Sequence, residues 1–382
     1  MLKNELIIMY GQEWIEMTKQ LLSIARLRDM IPDRDTLIGI KPNLLGQVLP
    51  DQGATTHPEV VAGLIEYLQD SGFEQIVLLE GSWVGDLTEK TVRYCGYDKL
   101  CRRYNVPFWD MQKEPGVSKD CAGLELNICR SALDIGFLIN VPVLKGHCQT
   151  KITCALKNMK GLIPDSEKRR FHRMGLHEPV GHLSAGIHQD FILVDSICGD
   201  LAFEDGGNPV QQDRLIAAAD PVLCDSYGCG VIGIAPESVG YIKTAARLGI
   251  GSMDLSEASI CEYQYQSGQQ PVLLPAGAGK KAASGGYRHM MELAEKAEEV
   301  DSCSACYAYL IPALDMLRQD GLLDQLDTKV CIGQGHRNKK GKLGVGNCTR
   351  LFDHTLAGCP PTENQMYEFL KKYIKTGKNE AF

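Results

Sequence analysis

The chain reads as an α/β protein: a mostly parallel sheet with helices on both faces, followed by a smaller α-rich domain. Three observations predict this. Short apolar runs alternate with stretches whose apolar residues recur at helical spacing over the first two-thirds of the chain. One of these alternations is a complete strand–helix–strand unit. A Gly-, Ala-, Gln- and Pro-rich stretch at 265–286 then separates off a last segment with its own set of cysteines.

Thr36–Ile40 (TLIGI) is the first clear strand, followed by Lys41-Pro42-Asn43 and a Gly-containing loop. Thr55-Thr56-His57-Pro58 has the form of a helix start, with a hydroxyl cap and a proline in the first turn. Val60, Val61, Leu64, Ile65 and Leu68 then make one apolar helical face, and Gly72 stops it. Gln75–Leu79 is the next strand, ending at Glu80-Gly81-Ser82. Such a unit implies parallel strands joined by a right-handed crossover. Further strands are expected at Ile135–Val141, Phe191–Val194 and Leu215–Ala218, and a helix over Val222–Ile232. Asp195 and Asp220 directly follow the last two strands. In open α/β sheets ligands bind beyond the carboxyl ends of strands. The polar groups Lys41, Asn43, Glu80, Ser82, Lys145, Asp195 and Asp220 are therefore expected there. The domain division is 1–264 for an anion- or substrate-binding α/β domain, 265–286 for a linker and 287–382 for a cysteine-bearing domain.

A length of 382 residues suits two or three domains. With 44% apolar and 23% charged residues the chain is neither disordered nor fibrous. A net charge of −8 and only 7% aromatic residues, with no aromatic–basic interleaving, argue against a nucleic-acid partner. The apolar run Leu6–Tyr10 is too short for a signal-peptide core, and no stretch has the length of a membrane span. The expected location is cytoplasmic, without a membrane partner. There the 15 cysteines stay reduced, as buried hydrophobes, metal ligands or redox groups.

Four of them carry the strongest chemical signal. Cys303-Ser-Ala-Cys306 is a CxxC, Cys348 lies in Gly-Val-Gly-Asn-Cys, and Cys359 in Gly-Cys-Pro-Pro. The glycines let backbone amides approach a cofactor closely. Thr362-Glu-Asn-Gln365 forms a capping box, which puts Cys359 just before a helix N-terminus, where a thiolate is favoured. Gly-Cys-Pro-Pro is similar to the ligand motif of small subunits of respiratory and hydrogenase iron–sulfur proteins. The reading is one [4Fe–4S] cluster on Cys303, Cys306, Cys348 and Cys359. Zinc is the alternative, although zinc sites usually pair their cysteines twice at close spacing. Cys331, ending Lys329–Ile332, reads first as a buried strand cysteine, with ligation the alternative.

Residues 145–173 set eight Lys and Arg against one Asp and one Glu. Lys145 follows the apolar run Phe137–Leu144 and is expected at the cleft edge of the sheet. Thr150 and Thr153 offer hydroxyls beside it, and Lys157, Asn158 and Lys160 add charge near a turn. With Lys41 and Asn43 these groups fit a phosphate or carboxylate. No GxxxxGK[ST] and no GxGxxG is present, so neither a P-loop nor a standard dinucleotide site is supported. His172, His177, His182 and His188 read as scattered loop histidines.

The segment also carries a family resemblance. Lys145, His147, Thr150, Thr153, Ala155, Lys157, Asn158, Gly161, Pro164, Lys168 and His172 fit one ordered pattern. Lys41-Pro42-Asn43-Leu44, Thr55-Thr56-His57-Pro58-Glu59, Asp195 and Asp220-Pro221-Val222 fit its other parts. The pattern resembles the "domain of unknown function 362" family over about residues 35–240. The resemblance implies a frequent association with C-terminal ferredoxin-like modules and names no substrate. Here the compact CxxCxxCxxxCP run of such modules is replaced by four dispersed cysteines, which implies one cluster rather than two.

The functional expectation is an iron–sulfur oxidoreductase or electron-fed accessory enzyme acting on a small anionic ligand. Lys145, His147 and Asp195 are its candidate catalytic residues, the last two as proton donors. The alternatives are a ferredoxin-like carrier that docks a redox partner protein, and a non-redox enzyme with a structural or Lewis-acid metal. The sequence leaves the oligomeric state open.

Overall fold

The computed structural model describes residues 1–376 apart from 202, 205, 208, 279–291 and 303. Two units emerge. The first comprises Met1–Lys168 and Leu176–Ser284, the second Arg169–Gly175 and Gly285–Phe382.

In the first unit nine strands form one sheet. They are β1 (Glu5–Tyr10), β2 (Ile38–Pro42), β3 (Ile76–Glu80), β4 (Phe108–Asp110), β7 (Phe137–Val141), β10 (Phe191–Asp200), β11 (Pro209–Ala218), β12 (Ser259–Gln264) and β13 (Val272–Leu273). Four more strands make two separate hairpins: β5 (Gly116–Asp120) with β6 (Glu125–Cys129), and β8 (Lys145–His147) with β9 (Lys151–Thr153). The sheet order is β13-β12-β1-β11-β10-β7-β2-β3-β4. From β10 through β7, β2 and β3 to β4 every pairing is parallel, whereas β11 is antiparallel to both its neighbours. The expected strand–helix–strand unit is β2, helix α2 (Pro58–Asp70) and β3, with Ile38 paired to Ile76.

Every residue of β2, β3 and β7 is buried, as required of parallel strands covered on both faces. Alternation sends Ile38, Ile40, Ile76, Leu78, Ile139, Phe191 and Leu193 to one face. There they pack with α2 and with helix α1 (Trp14–Ala25) into the main core. Residues of the opposite parity face the helices Ala155–Asn158 and Pro221–Ile232. That is the side reached by the Asn140 amide, which donates to Ala155 O at 2.9 Å.

Three local expectations change. The N-cap of α2 is His57 without a side-chain cap bond, because Thr56 Oγ1 donates to Val141 O across the sheet. Strand β7 stops at Val141, since Pro142 has no N–H for a ladder, so Lys145 opens the β8–β9 hairpin instead of ending a sheet strand. Asp195 lies inside β10 rather than after it, and Asp220 is a true N-cap, its Oδ1 accepting from Val222 and Leu223 N–H. Within the stretch read as a linker, β13 adds an edge strand to β12.

The second unit has two long helices, Ser304–Gln319 and Glu363–Thr376. It also has a parallel sheet the composition did not announce: β14 (Ala297–Glu299), β15 (Val330–Ile332), β16 (Leu343–Val345) and β17 (His354–Leu356). Its strands have three residues each, too short for a periodic signal. Val330, Ile332, Leu343 and Val345 are buried, and His354 meets Tyr373 of the last helix edge-on at 5.1 Å. The capping box forms as expected, with Gln365 N–H donating to Thr362 Oγ1 and Thr362 N–H to Gln365 Oε1.

Candidate functional site

In the first unit the predicted polar residues divide between the two faces of the sheet. On the α2 side Asp195 shares the parity of Phe191 and Leu193. Its Oδ2 accepts from His57 N–H at 2.7 Å and sits 2.8 Å from His57 Nδ1. Burial alone would push the His57 imidazole down, but the Asp195 charge and hydrogen bond hold it above its ordinary range. This pair therefore stands apart from the lysines with which Asp195 was grouped.

The other face holds a buried polar chain. Lys41 Nζ lies 2.5 Å from Glu80 Oε2 and 3.2 Å from Asn158 Oδ1, and it also donates to Pro42 O. Asn158 donates to Asn140 Oδ1 at 2.7 Å, and Asn140 donates to Gln189 Oε1 at 2.6 Å. Burial pulls the Lys41 ammonium down, against the attraction of Glu80. Gly161 is required here: a Cβ would overlap the Glu80 carboxylate and press on Lys41 Nζ.

Next to this chain lie the remaining lysines. In the β8–β9 hairpin Lys145 is paired with Thr153, and Lys157 Nζ reaches Thr153 Oγ1 at 3.4 Å. Lys145 Nζ donates to Ala54 O at 2.7 Å, and Thr150 Oγ1 to Ile152 O. Lys157 and Lys160 keep some surface open while protein atoms crowd them. Burial brings Lys157 down to about 8, with Glu204 and Cys148 acting in the opposite sense. Lys160 is held well below its ordinary range by burial, then by Lys157 and Lys168. Lys168 donates to Ser82 O at 2.7 Å and Gly81 O at 3.0 Å, which ties it to the end of β3. His147 Nε2 faces Glu204 Oε1 at 3.6 Å, while its Nδ1 accepts from Gln149 and Thr150 N–H. The structure thus brings Lys41, Lys145, Thr153, Lys157, Asn158 and Lys160 into one neighbourhood. From Asn43 the backbone N–H bonds to Thr56 Oγ1.

Glu80, Lys168 and Glu204 also belong to this neighbourhood; the sequence places Glu80 at the cleft and fits Lys168 to the family pattern without assigning either to the site, and it does not single out Glu204. Glu80 and Lys168 carried usable signals, one at a strand end and one in the basic run; Glu204, in an Asp/Gly-rich loop, carried none. Asp225 is another addition. Its carboxylate accepts from Ala155 and Leu156 N–H and lies within 4.8 Å of the Cys154 and Cys224 thiols. Burial raises it to about 7.

Residues 38–230 match the family described as "Domain of unknown function (DUF362)". The chain belongs to this family. The matched span runs from β2 into the helix Pro221–Ile232, so DUF362 covers the lysines, Glu80, Asp195 and Asp225 and ends before the C-terminal cysteines. A thylakoid-associated protein of Synechocystis is 25% identical over 223 residues, 55% of this chain and 67% of that protein. Among solved structures, the lactate racemase apoprotein of Thermoanaerobacterium thermosaccharolyticum matches 58% of this chain and 56% of its own, with 13% identity and a TM-score of 0.38. A Thermotoga maritima protein matches 63% of this chain and 59% of its own, with 12% identity and a TM-score of 0.36. The chain therefore spans little more than half of each of these structures.

Beyond the DUF362 span, Cys348 and Cys359 follow β16 and β17, at one edge of the short parallel sheet. Val345 pairs with Leu356, and Cys348 and Cys359 each follow three residues later. Gly346 N–H donates to Leu356 O and Asn347 N–H to Gly358 O, both at 2.8 Å, which joins the two turns. A Cβ at Gly346 would lie 3.8 Å from Cys306 Sγ, in the first turns of the helix Ser304–Gln319. Cys306 and Cys348 are half-buried and Cys359 is exposed. Cys303 lies outside the described residues. Cys331 belongs to β15, two rows back from this edge. Cys95, Cys129 and Cys229 are buried thiols pushed up by desolvation, as expected of inert core cysteines. Among the described residues no helix is long and apolar enough to cross a membrane.

Proposed function

We propose that this protein is an iron–sulfur protein whose first unit binds a small phosphate- or carboxylate-bearing anion. Cys303, Cys306, Cys348 and Cys359 would hold one [4Fe–4S] cluster in the second unit. The observation that carries this reading is the placement of Cys348 and Cys359 at equal offsets beyond a paired strand row, with Cys306 beside Gly346. Backbone bonds set the turns of Cys348 and Cys359 side by side, and Cys306 Sγ lies near Gly346 in one of them, although the three cysteines are dispersed in sequence. The N-terminus of the helix Glu363–Thr376, shortly after Cys359, favours an anionic set of ligands. Bound there, a cluster supplies one-electron transfer.

In the first unit Lys157 and Lys168 crowd Lys160, with Glu204 acting in the opposite sense and Asp165 3.3 Å from Lys168. Crowded like charges favour a bound anion that offsets them. Lys145, Lys157 and Lys160, with Thr150 and Thr153, would neutralise and orient it. His147, beside Glu204, is the proton donor of choice. The resulting activity is that of an oxidoreductase or an electron-fed accessory enzyme in the cytoplasm. A second reading, a ferredoxin-like carrier, draws on the exposure of Cys359, which suits electron exchange with a redox partner protein.

Anaerobic purification with iron and sulfide counts and an EPR spectrum tests the cluster. About four iron and four sulfide per chain are expected of a four-thiolate cube. Stoichiometric zinc without iron overturns the cluster reading in favour of a structural zinc site.

A further inference from the structure

A second group of metal-ligand side chains lies in the C-terminal unit, on β14, on β15 and in the turn after β15. Glu298 on β14 is the direct parallel partner of Cys331 on β15. His336, in the turn after β15, folds back over them. One ligand atom from each of the three lies within 4.8 Å of the other two.

The turn is built for this. Gly333 has φ +115°, and a Cβ there would collide with the Val300 carbonyl. Gly335 N–H donates to that same carbonyl at 3.0 Å, and Gln334 N–H to Asp301 O at 3.0 Å. The chain is thereby bound back to the residues that follow β14. His336 is buried, packs edge-on against Phe352 at 5.7 Å, and hydrogen-bonds through Nε2 to the Glu298 carbonyl at 3.3 Å. A ring nitrogen held by a backbone carbonyl is the usual device that orients a metal-binding imidazole and fixes its tautomer.

We propose that Glu298, Cys331 and His336 form a binding site for one divalent transition-metal ion of the zinc type. A carboxylate and a thiolate together offset two positive charges. The thiolate–imidazole pair suits zinc or cobalt rather than magnesium or calcium. Three protein ligands leave a fourth position for water, the pattern of an open zinc site rather than a closed structural one. Glu298 is exposed and Cys331 half-buried, so the ion has an entry path from solvent.

The test uses the full chain, purified anaerobically, loaded with one equivalent of zinc and dialysed. Metals are counted by mass spectrometry, and zinc affinity is read by competition with a chromophoric chelator. One zinc per chain should be retained, and Cys331→Ser should lose it without change in iron content. Glu298→Gln, at an exposed position that does not endanger folding, should weaken zinc binding at least tenfold. Cys348→Ser should leave zinc retention intact whether or not the chain carries iron, which separates this site from the cluster. Equal zinc retention by the parent chain and Cys331→Ser, or unchanged affinity in Glu298→Gln, overturns the proposal.

Discussion

Lys41 and Glu80, 39 residues apart in the chain, meet at 2.5 Å on neighbouring parallel strands with both side chains buried. Glu80 also accepts from Gly81 N–H at 2.8 Å and Leu44 N–H at 3.3 Å, and Lys41 continues into Asn158 and Asn140. Charges removed from water this completely persist only where such bonds complete their shells. The pair fixes the end of β2 against β3 and gives the Lys-Asn-x-Lys-Gly turn a polar floor.

Breaking that pair is therefore costly. Glu80→Ala should lower the unfolding free energy by about 3–5 kcal/mol, because it strands a buried ammonium. The double replacement Lys41→Met with Glu80→Leu should cost less than the single change. Urea denaturation of both variants checks the order; a milder single variant refutes it.

The lysine neighbourhood should titrate. Lys157 has a depressed value of about 8, so it is charged below that pH and neutral above it. Affinity for inorganic phosphate should fall as pH rises through about 8, beyond any change in phosphate ionisation seen with a control protein. Lys157→Arg, whose guanidinium stays charged, should hold affinity across that range. Lys157→Ala should weaken binding by about 1–3 kcal/mol at neutral pH. Calorimetric titration at several pH values reads all three.

Asp225 makes stability itself depend on pH. Its folded value is raised from 3.8 to about 7, so between those values the folded chain holds a proton that the unfolded chain has released. The group's stabilising contribution is complete at low pH and is lost as pH climbs toward 7. Asp225→Asn should flatten this part of the stability curve. Equal slopes for the variant and the parent in chemical denaturation between pH 4 and pH 7 would exclude the role.

Replacing Cys306, Cys348 or Cys359 by Ser should bleach anaerobically purified protein. Cys95→Ser and Cys129→Ser should not, since those thiols are enclosed in the first unit. Absorbance near the visible thiolate–iron bands, with iron counts, distinguishes the two groups. Colour retained in Cys348→Ser would exclude Cys348 as a ligand.

How far the site was legible differs residue by residue. Lys157, Asn158 and Lys160 stood out as charge and hydrogen-bonding groups near a turn, and the structure gathers them with Lys41. Glu204 offered no such signal, because a lone acid in a turn-rich loop is indistinguishable from solvated surface until the fold carries it to His147. Asp195 looked like a strand-end residue because the apolar run stops at Val194. The strand continues to Asp200, since ladder bonds to β11 do not require apolar side chains.

By itself the sequence determined the α/β class, the β2–α2–β3 unit, the capping box at Thr362 and the family of residues 38–230. These follow from local periodicity, proline and glycine chemistry and short-range motifs, all written within a few neighbouring residues. Only the tertiary structure decided that Asp195 and Lys41 lie on opposite faces of the sheet, that Lys145 begins a hairpin, and that Glu298, Cys331 and His336 come together. Those outcomes depend on strand parity and on pairings between residues far apart in the chain. A one-residue shift of register would reverse a side chain's face, and no local pattern encodes that register.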